Sequence, residues 1–314
     1  TKAIPQTKSP SGVPQAPEGD FGFYTGLYRA VNAVYRDFAG EDMLLAGVGA
    51  DNKAALFVDI HGLAAALAAA KSGDTVKLVQ DITPTERIVV TGDKNITIDL
   101  AEKKITSKAD VAIVNNGTGK LTITGNGTVD TSLSTNDKNI AIWARTGSID
   151  IENGTFINKS NKEATVYAGT SADASTPVIT IKGGTFENKA TGPYEYKNSL
   201  KPLTLNVENS KPVTSIVITG GTFYGNDPKN GDDNKGGTFL APDYKSVETS
   251  AGVWTVEKKD WKTDYKADGS EMPSGVVITT ARDPAGTNGS LTTVTLKDQD
   301  AYLYFTQVFD HGQA

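Results

Sequence analysis

The stretch IKGGTF at residues 181–186 decides the fold, because related versions of it recur along the chain. The others are ITGNGTV at 123–129, IENGTF at 151–156 and ITGGTF at 218–223. The glycine that precedes the threonine recurs at steps of 27, 30 and 37 residues. A fixed motif at a slowly varying period in this range is the signature of a solenoid, with the insertions falling in loops.

Strand alternation assigns the side chains around each motif to the inside or the outside of the solenoid. Ile149 and Ile151 are predicted to point inward, whereas Asp150 and Glu152 point outward. Stacked coils lie about 4.8 Å apart, so equivalent residues of successive coils form ladders. Glu152 and Lys182 fall in equivalent outward places, where opposite charges on adjacent coils are mildly favourable.

The glycines of the motif predict a corner that needs a positive φ or has no room for a Cβ atom. After the corner, the aromatic residue re-enters the core, so Phe156, Phe186 and Phe223 are expected to stack in one inward column. The first copy carries one extra residue between Ile123 and Thr128, and its corner is therefore expected to differ.

Two helices are predicted ahead of the repeat. In residues 21–46, large apolar residues recur at three- and four-residue steps, which is typical of an amphipathic helix. His61–Lys71 predicts a second helix with Leu63 and Leu67 on one face, well placed to cap the open end of the β-stack.

The run from His61 to Glu257, roughly two thirds of the chain, resembles the pectate-lyase-like right-handed parallel β-helix repeats of gut-bacterial surface proteins and phages. The resemblance is carried by LAAALAAAKSGDTVKLVQDIT, NITIDLAEKKIT, LTITGNGTVD, the three NGTF or GGTF turns and YKSVETSAGVWTVEKK. It implies the fold, whereas such repeats serve in adhesins, in phage fibres and spikes, and in carbohydrate-active enzymes.

We therefore predict an all-β fold, a right-handed parallel β-helix with N-terminal helices and a small C-terminal β unit. In that unit, Val276–Ile278, Leu291–Leu296 and Ala301–Phe309 are predicted as three strands. The predicted segments are an extended Pro-rich arm at 1–20, a helical anchor at 21–60, a capping helix with the β-helix at 61–257, and the C-terminal β unit at 258–314.

Composition argues against several classes of function. The net charge is −6 with both signs interspersed, so no basic stripe marks a nucleic-acid partner. The chain has no cysteine, which excludes thiolate metal sites, and no apolar run of about 18 residues that predicts a membrane span. The two histidines, His61 and His311, are separated by the whole solenoid. No cofactor or metal site is predicted, and the polar insertion at 226–234 is interpreted as a loop, with cation binding as the alternative.

Polysaccharide hydrolysis on a β-helix needs carboxylates clustered on one outer face. The positions equivalent to Asp130 in the later coils are Ile157, Glu187 and Tyr224. Carboxylates are therefore not expected to stack at this position on two successive coils. We predict no catalytic residue and no catalytic centre on the repeat face. The outward-facing carboxylates that could carry such chemistry are Asp99, Asp130, Asp150 and Glu152. The preferred interpretation is that they form a solvated outer face.

The order of arm, helix, capping helix and rod favours a non-enzymatic attachment protein, foremost a phage virion component such as a head fibre, decoration protein or tail-associated spike. Such a protein would assemble in bacterial cytoplasm. A cell-surface or secreted glycan-binding adhesin is the alternative, and a polysaccharide lyase or hydrolase the second alternative.

Residues 1–60 are predicted to bind other virion or surface proteins and to form a homo-oligomer, with a trimer favoured. The predicted assembly residues are Phe23, Leu27, Tyr28, Val31, Tyr35 and Phe38, and the candidate contacts to host glycans are Trp143, Tyr167, Tyr194, Tyr196 and Tyr224.

Overall fold

The computed structural model describes residues 46–48, 62–193, 202–231, 236–266, 269–282 and 290–306. The Pro-rich arm at 1–20 lies outside these residues, and so do the six predicted assembly residues of the anchor segment. The described chain is an all-β structure built around a parallel β-solenoid, as the repeat predicts.

Four complete coils of three strands form the solenoid, and a partial coil flanks them at either end. Each complete coil contributes one strand to each of three parallel sheets. The strands from the N-terminal side are β1 Ala46–Val48, β2 Thr75–Leu78, β3 Ile88–Val90, β4 Ile96–Asp99, β5 Lys104–Thr106, β6 Val111–Asn115, β7 Leu121–Thr124, β8 Thr128–Asp130, β9 Ile140–Ala144, β10 Ile149–Ile151, β11 Thr155–Asn158, β12 Val166–Ala168, β13 Ile179–Ile181, β14 Thr185–Asn188, β15 Leu205–Val207, β16 Ile216–Ile218 and β17 Thr222–Tyr224.

The three sheets are named here by their strands. Sheet A contains β1, β2, β4, β7, β10, β13 and β16, in that spatial order. Sheet B contains β5, β8, β11, β14 and β17, and sheet C contains β3, β6, β9, β12 and β15. Within each sheet the neighbouring solenoid strands come from successive coils, so equivalent residues are direct partners across the ladder.

The inward positions fill one continuous apolar core that the three sheets share. Ile149 and Ile151 are fully buried in it, as the alternation predicts. Phe156, Phe186 and Phe223 are buried and form the expected column, with successive ring centroids 5.1 and 5.0 Å apart and nearly parallel planes. The register that the repeat predicts is confirmed, because these phenylalanines are direct cross-strand partners.

The corners that contain two adjacent glycines use both properties of glycine. Gly184 has a φ of 99°, which L residues with a Cβ atom rarely adopt. A Cβ atom on Gly183 would lie 2.4 Å from the carbonyl oxygen of Glu152 in the preceding coil, so no side chain fits there. In the first copy the positive φ falls instead on Gly125, at 86°, and the predicted difference in its corner is confirmed.

The N-terminal end of the core is covered by helix α1, Gly62–Ala69. Leu63 and Leu67 are buried in the shared core, so the predicted capping role is confirmed. Beside the helix, β1 pairs antiparallel with β2, opposing Val48 to Val76. The sequence indicated no strand in the anchor segment 21–60, yet the three described residues of that segment extend sheet A.

The C-terminal end of the solenoid is closed by an antiparallel hairpin of β18, Tyr244–Ser250, and β19, Val253–Lys258. Strand β19 pairs with β17, which adds the hairpin to sheet B. Phe239 and Val256 are buried at this end of the shared core. The end of the β-stack is thus covered by side chains of the loop and hairpin that follow the last coil.

A small unit with its own core follows. It contains the two-stranded sheet of β20, Val276–Arg282, and β21, Ser290–Leu296, and helix α2, Gln299–Tyr304. The strand predicted at Ala301–Phe309 is wrong in its described part, because Ala301 and Tyr304 lie on one face of α2 and bury into this core. The carboxylate of Asp298 caps the helix by accepting the Ala301 amide at 2.8 Å.

Candidate functional site

The outer face of sheet C carries a ladder of apolar and aromatic side chains, which we call the sheet C ladder. It consists of Val89, Val114, Trp143 and Tyr167 on four successive strands, each the direct partner of the next. The Trp143 and Tyr167 rings meet edge to face, with centroids 6.1 Å apart and planes at 62°. Inward residues of the same strands, such as Ile142, belong to the shared core, so the ladder lies on the opposite side of the sheet.

Hydrogen bonds fix the polar atoms of both aromatic residues. The indole Nε1 of Trp143 donates to the carbonyl oxygen of Gly169 at 2.9 Å. The hydroxyl of Tyr167 donates to Glu208 Oε2, also at 2.9 Å. Both side chains are half-buried. The rings are therefore held in one orientation, and ordering them for a ligand costs little further conformational entropy.

Two arginines flank the indole ring of Trp143. The guanidinium carbon of Arg87 lies 5.8 Å from the ring centroid, and that of Arg145 lies 5.6 Å from it, within the range of a cation–π contact. Arg87 makes a two-point contact with Asp110, in which its Nε donates to Oδ1 at 2.7 Å. This hydrogen bond raises the pKa of Arg87 and lowers the pKa of Asp110, so both groups stay charged near neutral pH.

Arg145 is held less completely than Arg87. Its Nη1 donates to Asn116 Oδ1 at 3.2 Å, and its buried Nε has no hydrogen-bond partner. No described carboxylate lies within 4 Å of its guanidinium. Arg145 is consequently the less restrained of the two guanidinium groups beside the indole.

A second, small apolar cluster includes the ladder residue Val114. Val111, Val114 and Ile140 are buried although they face away from the shared core, because Trp143 and Tyr167 pack over them. Burial on an outer sheet face means that the aromatic residues also stabilise the rod. The edges that stay accessible combine aromatic carbon, guanidinium and amide groups, which suits the apolar faces and hydroxyls of a sugar.

Of the three candidate glycan contacts that the structure describes, two lie together. Trp143 and Tyr167 are neighbours on sheet C, whereas Tyr224 lies 40% exposed on sheet B. Tyr194 and Tyr196 lie outside the described residues. One continuous surface containing all the described candidates, Trp143, Tyr167 and Tyr224, is therefore not formed.

Each of the four carboxylates considered for catalysis lies within ion-pair distance of a lysine. Asp150 lies 3.0 Å from Lys120 Nζ and 3.7 Å from Lys182 Nζ. Lys182 Nζ also lies 2.7 Å from Glu152 Oε1. This contact confirms the prediction that residues 152 and 182 occupy equivalent outward positions on adjacent coils. The remaining pairs are Lys77 with Asp99 at 3.7 Å and Lys104 with Asp130 at 3.3 Å.

Asp130 differs from the solvated position that the sequence predicts, because it is only 6% exposed. Burial by itself raises the pKa of this carboxyl, but hydrogen bonds from Ser132 and the contact with Lys104 outweigh that effect and lower it. A general acid needs a raised pKa near the working pH. Asp130 therefore stays ionised and accepts a hydrogen bond from the Ser132 amide within its own turn. It is poorly suited to donate a proton.

Among the described residues, no group of three or more histidine, cysteine, aspartate or glutamate side chains is arranged to hold a metal ion. The helices in the described part of the chain are too short or too polar to cross a membrane.

Sequence reasoning did not identify Asp110 and Glu208, the acceptors that brace the sheet C ladder. They come from different coils, 23 residues from Arg87 and 41 residues from Tyr167. The ladder itself did have a sequence signal, because VAIVN at 111–115 and IAIWA at 140–144 share a pattern and are aligned in the structure. Aligning these segments places Trp143 over Val114.

Comparison of the chain with protein-family models, with curated proteins and with solved structures finds no significant match. The fold therefore rests on the structure alone.

Proposed function

We propose that this chain is a non-enzymatic attachment protein, in which a rigid β-solenoid presents the sheet C ladder to a carbohydrate ligand. The observation that carries the proposal is the Trp143–Tyr167 pair, whose rings are oriented by hydrogen bonds to Gly169 and Glu208. Sugars bind proteins by laying C–H faces on aromatic rings and by hydrogen bonding around them. Arg145 and Asn116 supply such hydrogen-bonding groups beside the indole.

The setting of this function is a phage virion, as a head fibre, decoration protein or tail-associated spike anchored through residues 1–60. A bacterial cell-surface or secreted adhesin is the alternative setting. Both use a stiff stack of coils in the same way, as a spacer with a repetitive outer surface. The virion setting is supported by the sequence order of arm, helix and rod.

A polysaccharide lyase or hydrolase remains the less favoured class. The support for a non-catalytic role is the pairing of Asp99, Asp130 and Asp150 with lysines. The lowered pKa of Asp130 keeps that carboxylate ionised, whereas glycoside hydrolysis requires one of two carboxyls to be protonated. Release of reducing ends or unsaturated sugars from a polysaccharide, abolished by Asp130→Asn, would assign an enzyme instead.

The test is direct binding to soluble glycans, measured by titration calorimetry with dextran, laminarin, mannan and a purified bacterial capsular polysaccharide. Trp143→Ala and Tyr167→Ala are expected to weaken binding about tenfold or more, as truncation of an aromatic anchor does. Tyr302→Ala is the matched control, because Tyr302 is 53% exposed on α2 of the C-terminal unit. A thermal melt of each variant separates loss of binding from loss of folding.

Absence of binding to every glycan, or equal binding by Trp143→Ala and the wild type, would overturn the proposal. Trp143→Phe gives a second reading, because it keeps an aromatic face while losing the hydrogen bond to Gly169. It is expected to bind between the wild type and the alanine variant.

A further inference from the structure

The hairpin of β20 and β21 extends beyond the core that supports it. Seven residue pairs are in register, from Val276 opposite Leu296 to Arg282 opposite Ser290. The described packing lies at the base of the hairpin, where Val276 is buried with Tyr265 and Tyr304 and where Val294 and Leu296 pack against the same core. Farther along, Ile278 is 42% exposed, and the exposed neighbours include Thr279, Thr280, Ala281, Thr292 and Thr293.

These two strands form a sheet of their own. In the described part of the chain, no third strand pairs with either of their outer edges. A two-stranded hairpin is at best marginally stable in water, and three or more strands are needed for independent stability. Ile278, Thr279, Thr280, Thr292 and Thr293 are exposed and lack the packing that would compensate for this, so the geometry calls for further strands.

The edges of the hairpin carry few of the features that keep natural edge strands apart. Neither strand contains proline, and their one charged residue is Arg282, at the distal end of β20. Strand β18 is an edge strand of the same length, and it carries Lys245 and Glu248 together with a register shift. Charges and bulges of this kind block edge-to-edge pairing. The chain thus protects one seven-residue edge and leaves the other one open.

We infer that the free edge of β20 pairs antiparallel with β20 of a second copy of this chain, making a four-stranded sheet across a twofold axis. A twofold axis brings one edge against itself in antiparallel orientation, which is the geometry that such a strand requires. Charge permits this pairing: Arg282 is the one charged residue of β20, and in an antiparallel pairing centred on Thr279 it lies opposite the uncharged Val276 of the second copy.

This interface is independent of the predicted assembly through residues 1–60, and it predicts a specific mass. The wild-type assembly has twice the mass of a variant whose β20 edge is blocked. That ratio holds for a monomer, and it holds for a trimer formed by residues 1–60 when the three β20 edges of one trimer pair with those of a second trimer on the same threefold axis.

The experiment is sedimentation equilibrium of the full chain over a range of concentrations. Thr279→Lys places like charges near one another across the axis, and we expect the dissociation constant to rise about fivefold or more. Thr279→Glu is expected to do the same, and an equimolar mixture of the two variants should recover the wild-type mass. Val247→Lys, at an exposed position of the protected strand β18, is the matched control and should leave the mass unchanged.

Recovery in the mixture separates a blocked interface from a misfolded hairpin, since misfolding would not be cured by a partner of opposite charge. A wild-type mass that Thr279→Lys does not change overturns the inference. So does a wild-type chain without self-association in which the outward-facing amides of β20, those not bonded to β21, are protected from hydrogen exchange, because another segment of the same chain would then cover the edge.

Discussion

At the scale of single residues, the repeat motif assigns each position a separate task. The first glycine of IKGGTF allows contact with the preceding coil, the second adopts the positive φ, the threonine faces outward and the phenylalanine fills the core. The outward position is occupied by threonine in five successive strands of the ladder, at Thr128, Thr155, Thr185, Thr222 and Thr255. A β-branched residue suits a pleated, half-exposed surface.

The phenylalanine column should dominate the stability of the coils. Phe186 is fully buried between the rings of Phe156 and Phe223, so Phe186→Ala leaves a cavity bounded by both neighbours. We expect the free energy of unfolding in urea to fall by about 3–5 kcal/mol. Phe186→Leu should lose clearly less because it keeps most of the volume, and Tyr224→Ala on the outer face should lose about 0.5 kcal/mol or less. Equal losses for Phe186→Ala and Tyr224→Ala would contradict the column.

At the scale of elements, the capping helix α1 depends on a lysine from the coil below it. Lys94 Nζ donates to the carbonyl oxygens of Ala68 at 2.8 Å and Ala70 at 2.6 Å, with a longer contact of 3.4 Å to Leu67. These are carbonyls at the C-terminal end of the helix, which have no partner within it. The ammonium also complements the negative end of the helix dipole.

Removing this cap should loosen the helix from the solenoid. We expect Lys94→Met to reduce the free energy of unfolding by about 1.5–3 kcal/mol, the range for hydrogen bonds made by charged groups. Lys71→Met is the matched control, because Lys71 is an exposed lysine just after the same helix. Hydrogen exchange of the α1 amides should accelerate in the first variant and not in the second. Identical exchange in both variants would argue that apolar packing alone holds the helix.

A carboxylate joins the solenoid to the C-terminal unit. Asp243, just before β18, accepts a hydrogen bond from the Tyr265 hydroxyl at 2.7 Å and from the Ser274 amide at 2.9 Å. Burial alone raises the pKa of Asp243, but these hydrogen bonds, with a further one from the Ser274 hydroxyl, lower it below the ordinary value. Burial and the bond to Asp243 also raise the pKa of Tyr265, which keeps its hydroxyl a donor.

This contact should make the C-terminal unit sensitive to acid. Because the folded-state pKa of Asp243 is lowered, its contribution is present above the unfolded value of about 4 and is lost as the pH falls below it. We expect the unfolding free energy of the C-terminal unit to drop between about pH 5 and pH 3, and Asp243→Asn to flatten that dependence. Near-ultraviolet circular dichroism, with Trp261 and Tyr265 in or beside this core, reports the change. An unchanged slope in the variant would assign the acid sensitivity to other carboxylates.

Sequence reasoning was most successful where the same residue types recur at a fixed spacing. The column of Phe156, Phe186 and Phe223 and the glycine corners follow from the repeat alone, because stacking makes one copy predict the next. The repeat gives no such information about β1 or α2, which each occur once. In α2, the alternating aromatic pattern after Ala301 favoured a strand, while the capping carboxylate of Asp298 was the signal for a helix. The sheet C ladder was only half predicted because its braces come from distant coils.

At the scale of the whole molecule, the boundary between anchor and rod lies within the segment assigned as 21–60. Strand β1 at 46–48 pairs in register with β2, so these residues belong to sheet A. In the described part of the chain, β1 is the outermost strand of sheet A at the N-terminal end. It covers the hydrogen-bonding edge of β2 that would otherwise face solvent.

Two truncations place this boundary. If residues 1–45 form a separate anchor, deleting them leaves α1, β1 and the coils in place, and the free energy of unfolding should stay within about 0.5 kcal/mol of the intact chain. Deleting residues 1–60 also removes β1 and its pairing with β2, so that variant should be less stable and should aggregate through the exposed edge. Urea unfolding and light scattering measure both effects. If instead the helix predicted in residues 21–46 folds back on the coils, deletion of 1–45 will already lower the free energy of unfolding by several kcal/mol, roughly the loss expected for a buried apolar face. That result would make the N-terminal segment part of the rod and leave the hairpin edge of β20 as the remaining proposed route to assembly.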